Sequence, residues 1–244
     1  MKHVLVTGAS RGIGRAIAVA LAERGARVAL HFNSDRAAAA DTLRRMAGSG
    51  HALFRADLSD VNAIEPLWRA VADAFSRVDA VVNNAGIYTE HPPLTSTYGP
   101  WNAELERTMA TNFLGPARLS FVAAHSMANS GCGRIINISS RGAFRGEPTA
   151  PAYGASKAAV NSFSQSLAKA LAPKGVYVYV VAPGWVGTER VARYTHDAAI
   201  LADQPLGRVA TPEEVAQVVA FCVFDAPASM TGAVLDVNGA SYLR

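Results

Sequence analysis

The sequence predicts an α/β protein with a doubly wound parallel sheet of about seven strands and helices on both faces. Short apolar runs alternate along the chain with longer segments that are alanine-rich or amphipathic. A glycine-rich turn from Gly8 to Gly14 separates the first apolar run from the first helical segment. Of the 244 residues, 50% are hydrophobic, which is ample for a sizeable core, and no linker or repeat divides the chain. We therefore expect one domain over residues 1–244.

The first half of the chain is interpreted as strands and helices in strict alternation. Val4–Thr7 is a short apolar strand that runs into the glycine turn. Ile13–Arg24 is an alanine-rich helix, and it stops at Gly25 because glycine is favoured just past a helix end. The same alternation continues with the strand Arg27–Phe32, the helix Ala37–Met46, the strand His51–Ala56, the helix Val61–Phe75 and the buried strand Asp79–Val82.

The second half begins with one long helix, predicted from about Trp101 to Met127. Pro116 is expected to kink this helix because proline has no N–H to donate. Thr211 is the expected N-cap of a late helix over Pro212–Val223. The other elements are the strand Arg134–Ile138, the helix Ala152–Leu171, the strand Val176–Val181 and the last strand Ala233–Val237.

Composition excludes several classes of function. The formal net charge is +4, but the basic residues are scattered, so we expect a solvated basic surface and no nucleic-acid partner. The N-terminal apolar run Val4–Val6 is too short for a signal peptide or a membrane span, which predicts a cytoplasmic protein with no membrane partner. Cys132 and Cys222 form no C-x-x-C motif, so a disulfide framework is not expected. No metal is expected. His91 and His196 could approach the substrate cleft, but we interpret them as solvent-facing loop residues.

Tyr153 and Lys157 are the most informative residues of the chain. Residues four apart lie on one face of a helix, so the phenol and the ammonium group are expected to be neighbours. A phenol alone has a pKa of roughly 10, and a neighbouring cation lowers that pKa because it favours the phenolate. A hydroxyl from Ser140 could hold a carbonyl oxygen against the phenol. With a nucleotide site at the glycine turn, these groups predict the transfer of a hydride to or from a carbon that carries oxygen.

The motifs, in this order and at these spacings, resemble those of the short-chain dehydrogenase/reductase family in its classical branch. They are Thr7 to Gly14, Asp57-Leu58, Asn83 to Gly86, Asn112, Ser140, Tyr153 with Lys157, and Pro183-Gly184 followed by Thr188. Within the family the chain is most similar to the 3-oxoacyl-acyl-carrier-protein reductase-like members. The resemblance implies a single-domain Rossmann fold and an oxidoreductase that moves a hydride between a nicotinamide and a ketone or secondary alcohol.

The resemblance also implies the catalytic roles. Tyr153 would donate the proton to the carbonyl oxygen in reduction and remove it in oxidation. Lys157 would lower the pKa of that phenol and hold the nicotinamide ribose, and Ser140 would polarise the substrate carbonyl. Asn112 would hold a water that connects Lys157 to solvent. Ser139 competes with Ser140, and we choose Ser140 because its interval of thirteen residues to Tyr153 matches the family.

The cofactor site is expected along one edge of the sheet. The glycines permit the turn and let backbone N–H groups approach a pyrophosphate at a helix N-terminus. Asn84 and its neighbour Asn83 could equally be turn residues with a structural role. With the resemblance, the expected cofactor contacts are Gly8, Ser10, Arg11, Gly12, Ile13, Gly14, Asn33, Ser34, Asp57, Leu58, Asn84, Ala85, Gly86, Tyr153, Lys157, Pro183, Gly184, Val186 and Thr188.

The end of the second strand distinguishes between the two nicotinamide cofactors. Sites for NAD usually place a carboxylate there to accept from the ribose hydroxyls. By resemblance that position is held by Phe32, which is followed by Asn33 and Ser34. With no carboxylate to repel a 2′-phosphate, NADP(H) is favoured over NAD(H). Arg11 could pair with that phosphate, and Arg36 is a second candidate, although a solvated helix residue explains Arg36 as well.

The substrate is defined only as a class, a small-molecule carbonyl or alcohol, with a 3-oxoacyl thioester as one candidate. The substrate-covering segment is expected at about residues 187–207. The loop Tyr88 to Pro100 looks longer than in plain carrier-protein enzymes, and Arg141 and Arg145 could meet an anionic substrate or face water. The alternatives are a non-catalytic dinucleotide sensor or scaffold and a methyltransferase of a related fold. The resemblance further implies a homo-oligomer, a tetramer or a dimer.

Overall fold

A seven-stranded, all-parallel sheet forms the centre of the protein. The computed structural model describes residues 1–189, 191 and 197–244. The strands are β1 (His3–Val6), β2 (Arg27–Phe32), β3 (Ala52–Arg55), β4 (Ala80–Asn83), β5 (Gly133–Ile138), β6 (Val176–Pro183) and β7 (Val234–Val237). Their order across the sheet is β3-β2-β1-β4-β5-β6-β7. The predicted doubly wound α/β fold is therefore confirmed, and the bounds of β2 agree with the prediction to the residue.

Helices cover both faces of this sheet. They are α1 (Gly12–Glu23), α2 (Arg36–Arg45), α3 (Val61–Phe75), α4 (Tyr98–Met109), α5 (Gly115–Asn129), α6 (Gly142–Arg145), α7 (Pro151–Leu171), α8 (Ala198–Ala202) and α9 (Pro212–Phe224). One core cluster packs α1 and α9 against the sheet through residues such as Ile17 and Val219. The second cluster packs α3 and α5 on the opposite face through residues such as Trp68 and Leu119.

The order of the strands reverses at β1, which pairs with β2 on one side and with β4 on the other. Val6, the last residue of β1, is level with Leu30 of β2 and with Val82 of β4, so β2 extends two residues and β4 one residue beyond it. In open parallel sheets the crevice beyond the carboxyl ends of the strands at such a reversal is the usual ligand site. The glycine turn after β1 and the Asn84–Gly86 segment after β4 meet at this crevice.

The predicted long helix is interrupted by a π-helical segment, Ala110–Leu114, between α4 and α5. The prediction of a simple kink at Pro116 was therefore incomplete. Pro116 lies in the first turn of α5 and has no N–H, and the N–H of Gly115 just before it bonds five residues back to Ala110 O. The wider π-helical turn therefore accommodates the proline, which cannot donate a hydrogen bond, without ending the helix. This segment carries Asn112.

One helix end confirms the predicted N-cap, and another has a cap of the same kind. Thr211 caps α9 in a capping box, in which its side chain accepts from Glu214 N and the Glu214 side chain accepts from Thr211 N. Asp35 caps α2 by accepting from Ala38 N at 2.9 Å. The short helices α6 and α8 were not predicted, because four or five residues are too few to show a helical period. Within the described part of the chain, no helix is both long and apolar enough to cross a membrane.

Candidate active site

The turn between β1 and α1 is closed by glycines. Gly8 and Gly12 have φ values of 62° and 54°, in the left-handed region that favours glycine. Gly14 has no room for a side chain, because a Cβ there would overlap the carbonyl oxygen of Gly8. Arg11, the residue before α1, makes no side-chain capping bond. The first-turn N–H groups of α1 are therefore left for an anion, as the pyrophosphate of a dinucleotide requires.

Asn84 shapes this turn from the β4 side. Its Nδ2 donates to the carbonyl oxygens of Thr7 and Gly8, at 2.9 and 3.1 Å. Thr7 Oγ1 in turn accepts from the backbone N–H groups of Asn84 and Ala85, at 2.9 and 3.0 Å. A Cβ on Gly8 would lie only 2.8 Å from Ala85 Cα, so glycine is needed for this approach. Of the two roles considered, the structure gives Asn84 the structural one, and its contact with the cofactor stays a prediction.

His31 is a supporting residue that sequence reasoning missed. It lies on β2, is 2% exposed, and its Nδ1 accepts from Gly8 N at 3.1 Å. Its Nε2 therefore carries the proton and donates to Ala56 O at 3.1 Å. Burial lowers the pKa of His31 to about 4 and keeps the ring neutral. Because both ring nitrogens are bonded, His31 ties the glycine turn to the end of β3.

Arg15 is a second missed residue, and nothing in the sequence pattern singles it out. Its Nη2 donates to the carbonyl oxygen of Ser10 at 2.9 Å, and Thr42 Oγ1 donates to the same oxygen at 3.0 Å. These bonds hold Ser10 in the turn through its main chain. Arg15 also lies 3.8 Å from the carboxylate of Glu189, which follows the predicted nicotinamide segment. The side chain of Ile13 packs against the first core cluster, so its predicted position beneath a cofactor coexists with ordinary packing.

The end of β2 has the composition that a 2′-phosphate needs. Asn33, Ser34 and Arg36 are all exposed there, and so is Arg11 in the neighbouring turn. Asp35, the nearest carboxylate in the sequence, is used as the N-cap of α2. Two cations and two polar side chains therefore surround the position that NAD-binding sites give to an acidic residue. The residues present fit NADP(H).

Asp57 and Leu58 follow β3 at the same edge of the sheet. Asp57 Oδ1 accepts from the N–H and the hydroxyl of Ser59, at 2.9 and 2.7 Å. These bonds, with a smaller contribution from Asn33, lower the pKa of the Asp57 carboxyl. The side chain of Leu58 is 3% exposed and belongs to the second core cluster. Its predicted contact with a cofactor would therefore have to come from the main chain.

The segment after β6 returns toward the glycine turn. Pro183 ends β6, and a Cβ on Gly184 would lie 2.9 Å from the Cβ of Asn238. Val186 is buried and forms a bridge with Ala210. Thr188 packs against the turn, since a Cβ on Gly12 would lie 3.2 Å from Thr188 Cγ2. The predicted pyrophosphate and nicotinamide segments therefore lie side by side.

Tyr153 and Lys157 stand in the first two turns of α7, as predicted. Lys157 is 5% exposed, and its Nζ donates to Ile138 O at the end of β5, at 2.8 Å. The same Nζ lies 5.8 Å from the centre of the Tyr153 ring. The phenol is half-buried, and its ring meets the ring of Tyr88 edge to face at 5.1 Å between centroids. A buried cation is thus fixed beside the half-buried phenol.

Asn112 faces the same place from the π-helical segment. A Cβ on Gly86 would lie 3.3 Å from Asn112 Oδ1 and 3.5 Å from Lys157 Nζ, so both side chains lie close to Gly86. The Asn112 amide bonds to both backbone groups of Ile87, at 2.8 and 2.9 Å, and to Ser156 Oγ at 3.3 Å. Its side chain thereby joins the segment after β4 to α7. The predicted water held by Asn112 stays a prediction.

The two serines after β5 have different partners. Ser139 Oγ donates to the carbonyl oxygen of Lys157 at 3.2 Å, so this hydroxyl is used to attach α7 to β5. Ser140 Oγ accepts from Gly142 N at 3.0 Å, which leaves its own proton for another acceptor. The geometry therefore favours Ser140 over Ser139 as the residue that meets a substrate oxygen.

The basic residues beside Ser140 are already paired. Arg141 is 6% exposed and donates to Asp203 at 3.2 Å and to Ser241 at 2.6 Å. Arg145 donates to the same Asp203 carboxylate at 2.9 Å. These ion pairs attach the end of α8 to α6, so the arginines serve the protein's own contacts before any anionic substrate.

His91 corrects one prediction, because it is 4% exposed and not a solvent-facing residue. Its Nε2 accepts from Ala152 N of α7 at 3.1 Å, which the sequence pattern gave no means to foresee. His196 lies outside the described residues, as does part of the predicted substrate-covering segment. Among the residues described, no three His, Cys, Asp or Glu side chains are grouped in a way that could hold a metal ion.

Comparison with known proteins gives matches along nearly the whole chain. A family model described as Enoyl-(Acyl carrier protein) reductase matches residues 8–240. The chain is 37% identical over 244 residues to a 3-oxoacyl-acyl-carrier-protein reductase of Salmonella typhimurium, which covers 99% of this chain and 98% of that protein. The corresponding reductase of Escherichia coli is 38% identical over 244 residues, with the same coverage. That of Synechocystis is 37% identical over 238 residues, or 96% of this chain and 94% of the relative.

Proposed function

This chain belongs to the short-chain dehydrogenase/reductase family, and we propose that it reduces the ketone of a 3-oxoacyl thioester, with Tyr153 as the general acid. The family makes it an oxidoreductase that acts on CH–OH and C=O groups. The observation that carries the catalytic assignment is the buried Lys157 ammonium, held by Ile138 O at 2.8 Å and 5.8 Å from the Tyr153 ring. No simple packing role requires a buried cation at this place.

The chain's own residues would orient the ketone and supply the proton. NADPH, when bound, supplies the hydride. Ser140 donates a hydrogen bond to the ketone oxygen and polarises it. Tyr153 gives its phenol proton to that oxygen as negative charge develops. Lys157 favours the phenolate that remains, because a nearby cation stabilises the charged form.

The cofactor is NADP(H) in preference to NAD(H). Phe32 ends β2, and the carboxylate that is nearest to it in sequence, that of Asp35, caps α2. Arg11 and Arg36 stand exposed on either side of that position and supply positive charge for a 2′-phosphate. The uncapped first turn of α1 would receive the pyrophosphate.

The ketone is proposed as the reacting group on chemical grounds. The matching family model is described by an enoyl reduction, whereas the relatives compared above are named for a 3-oxoacyl reduction. Ser140 and Tyr153 both carry hydroxyl donors, and a ketone oxygen can accept from two donors while it takes up negative charge. A non-catalytic sensor or scaffold is not favoured, because it has no use for the buried Lys157 beside Tyr153.

The decisive experiment follows the oxidation of NADPH and of NADH with a short 3-oxoacyl thioester, beside a matched trans-2-enoyl thioester. We expect turnover of the 3-oxoacyl substrate with NADPH well above NADH. Tyr153→Phe should lose turnover by about 100-fold or more while NADPH binding is retained, since only the proton donor is removed. Turnover that survives in Tyr153→Phe would overturn the mechanism, and preference for the enoyl substrate would overturn the choice of reacting group.

Further expectations concern the domain organisation, the assembly, the location and the partners of the protein. We expect the chain to act as one domain with the substrate-covering segment at about residues 187–207, and to assemble as a homotetramer or a homodimer. The small-molecule substrate agrees with the family. The cytoplasmic location and the absence of nucleic-acid, membrane and metal partners stay predictions.

A further inference from the structure

The first turn of α7 is held from outside the helix. Ala150, the N-cap residue, makes no side-chain capping bond, and Pro151 has no N–H to donate. Tyr153 N donates back to Ala150 O at 2.9 Å. The N–H of Ala152 donates to Nε2 of His91, at 3.1 Å, across 61 residues of sequence. A histidine that is distant in sequence therefore accepts from a first-turn N–H group, as the side chain of a serine or aspartate N-cap usually does.

His91 is itself fixed in one orientation and one tautomer. Since Nε2 accepts from Ala152 N, the ring proton is on Nδ1, which donates to Thr89 O at 2.9 Å. The backbone N–H of His91 donates to Thr149 O at 2.8 Å, just before α7. The ring is 4% exposed and packs 6.3 Å from the ring of Trp101 on α4. Both the ring and the main chain of His91 thus engage the start of the helix.

The same segment, residues 88–91, also touches the general acid. The Tyr88 ring meets the Tyr153 ring edge to face at 5.1 Å, and the Tyr88 hydroxyl lies 3.3 Å from Thr149 Oγ1. On the other side, Arg107 of α4 donates to Thr89 Oγ1 at 2.8 Å. Segment 88–91 therefore connects α4 with the start of α7. Its contacts at that start are with Thr149, just before the helix, and with Ala152 and Tyr153 in the first turn. It belongs to the loop Tyr88 to Pro100, which looks longer than in plain carrier-protein enzymes and has no role in the proposed function.

We propose that His91 is a positioning residue for Tyr153, which caps the first turn of α7 and so fixes where the phenol meets the substrate. The proposal rests on the proposed function, because it assumes that Tyr153 delivers the proton. Ala152 immediately precedes Tyr153, so any shift of its N–H group moves the Cα of the general acid. Proton transfer depends steeply on such placement, and a displacement of about 1 Å can cost about 100-fold in rate.

A set of three substitutions separates positioning from a general packing role. His91→Gln keeps an acceptor at the distance of Nε2 and can still bond Ala152 N. His91→Asn keeps a donor for Thr89 O, but its oxygen is too short to reach Ala152 N. His91→Leu keeps the volume and removes both bonds. His125→Leu, at an exposed histidine of α5, is the matched control.

Two measurements are made on the full chain with each variant. The first is kcat and KM for the 3-oxoacyl thioester, with the dissociation constant of NADPH. The second is amide hydrogen exchange of the peptide that contains residues 150–157, which needs no activity. We expect kcat to fall by about ten-fold to 100-fold in His91→Leu and His91→Asn, with NADPH affinity little changed. His91→Gln should recover most of kcat and most of the exchange protection.

Each outcome decides the proposal. Wild-type kcat and wild-type exchange in His91→Leu would overturn it, and so would equal impairment in His91→Gln and His91→Asn, because that shows a need for the ring alone. If His91→Leu does not fold, the Gln and Asn pair still decides. Failure of the proposed function is seen separately, as turnover that survives in Tyr153→Phe, and the exchange data then still test the cap.

Discussion

Acid should lower the free energy of unfolding of this protein through His31, and the size of the loss follows from the pKa shift that burial causes. The neutral ring accepts from Gly8 N and donates to Ala56 O, so a second proton has no place to go without loss of the Gly8 bond. The pKa of His31 falls from 6.5 to about 4 on burial. Because the folded pKa is the lower one, the unfolded chain takes up the proton first, and stability is lost as the pH falls from about 6.5 towards about 4.

The two pKa values give the size of the effect. A difference of one in pKa corresponds to about 1.4 kcal/mol, so the full loss is about 3 kcal/mol. Most of it is present by pH 5, where proton binding to the unfolded chain alone costs about 2 kcal/mol relative to pH 7.5. A loss of this size is a large fraction of the stability of an ordinary domain, about 5–15 kcal/mol.

The assay is urea unfolding of the wild type and His31→Gln at pH 7.5 and pH 5, at one fixed protein concentration. Glutamine does not titrate, so the fall in the free energy of unfolding between the two pH values should be smaller in the variant by about 2 kcal/mol. His125→Gln, at an exposed histidine, should keep the wild-type difference. The reasoning is refuted if His31→Gln loses as much stability as the wild type does over this range.

Two further predictions concern the cofactor and the fold. Arg36→Glu, at the exposed start of α2, should weaken NADPH binding by about ten-fold or more and leave NADH binding nearly unchanged, because it places a negative charge beside the 2′-phosphate. Both cofactors are titrated against this variant and against the exposed control Arg69→Glu. An equal fall in both affinities of Arg36→Glu would contradict the prediction. Thr211→Ala should lower the free energy of unfolding by about 1 kcal/mol through loss of the α9 capping box, whereas Thr211→Ser should keep the wild-type stability. Equal stability of the two variants in urea unfolding would contradict the role of the cap.

Local sequence patterns were sufficient for the fold and for the placement of Tyr153 and Lys157 on one helix. Strand β2 was placed to the residue, and Thr211 caps α9 as predicted. Tyr153 and Lys157 were placed together because a helix repeats nearly every four residues, a rule that needs no tertiary information. These features are encoded within a few neighbouring residues of sequence.

The supporting residues could not be found in this way, because their partners are far apart in the chain. His31 meets Gly8 across 23 residues, and His91 meets Ala152 across 61. His31 was not identified from the sequence, and His91 was wrongly expected to face solvent, because a single histidine in a strand or loop carries no periodic signal. Their burial, tautomers and hydrogen bonds exist only once the sheet and the helices have packed.

The sequence by itself determined the order of the elements, the glycine turn and the placement of Tyr153 and Lys157 one helical turn apart. Only the tertiary structure showed that the Ser139 hydroxyl bonds to the carbonyl oxygen of Lys157, which supports the choice of Ser140 made from its spacing to Tyr153. It also decided that the helix before Pro116 widens into a π-helical segment around Asn112. The physical reason is the same in each case: a side chain's role depends on which donors and acceptors remain unused after folding, and packing settles that.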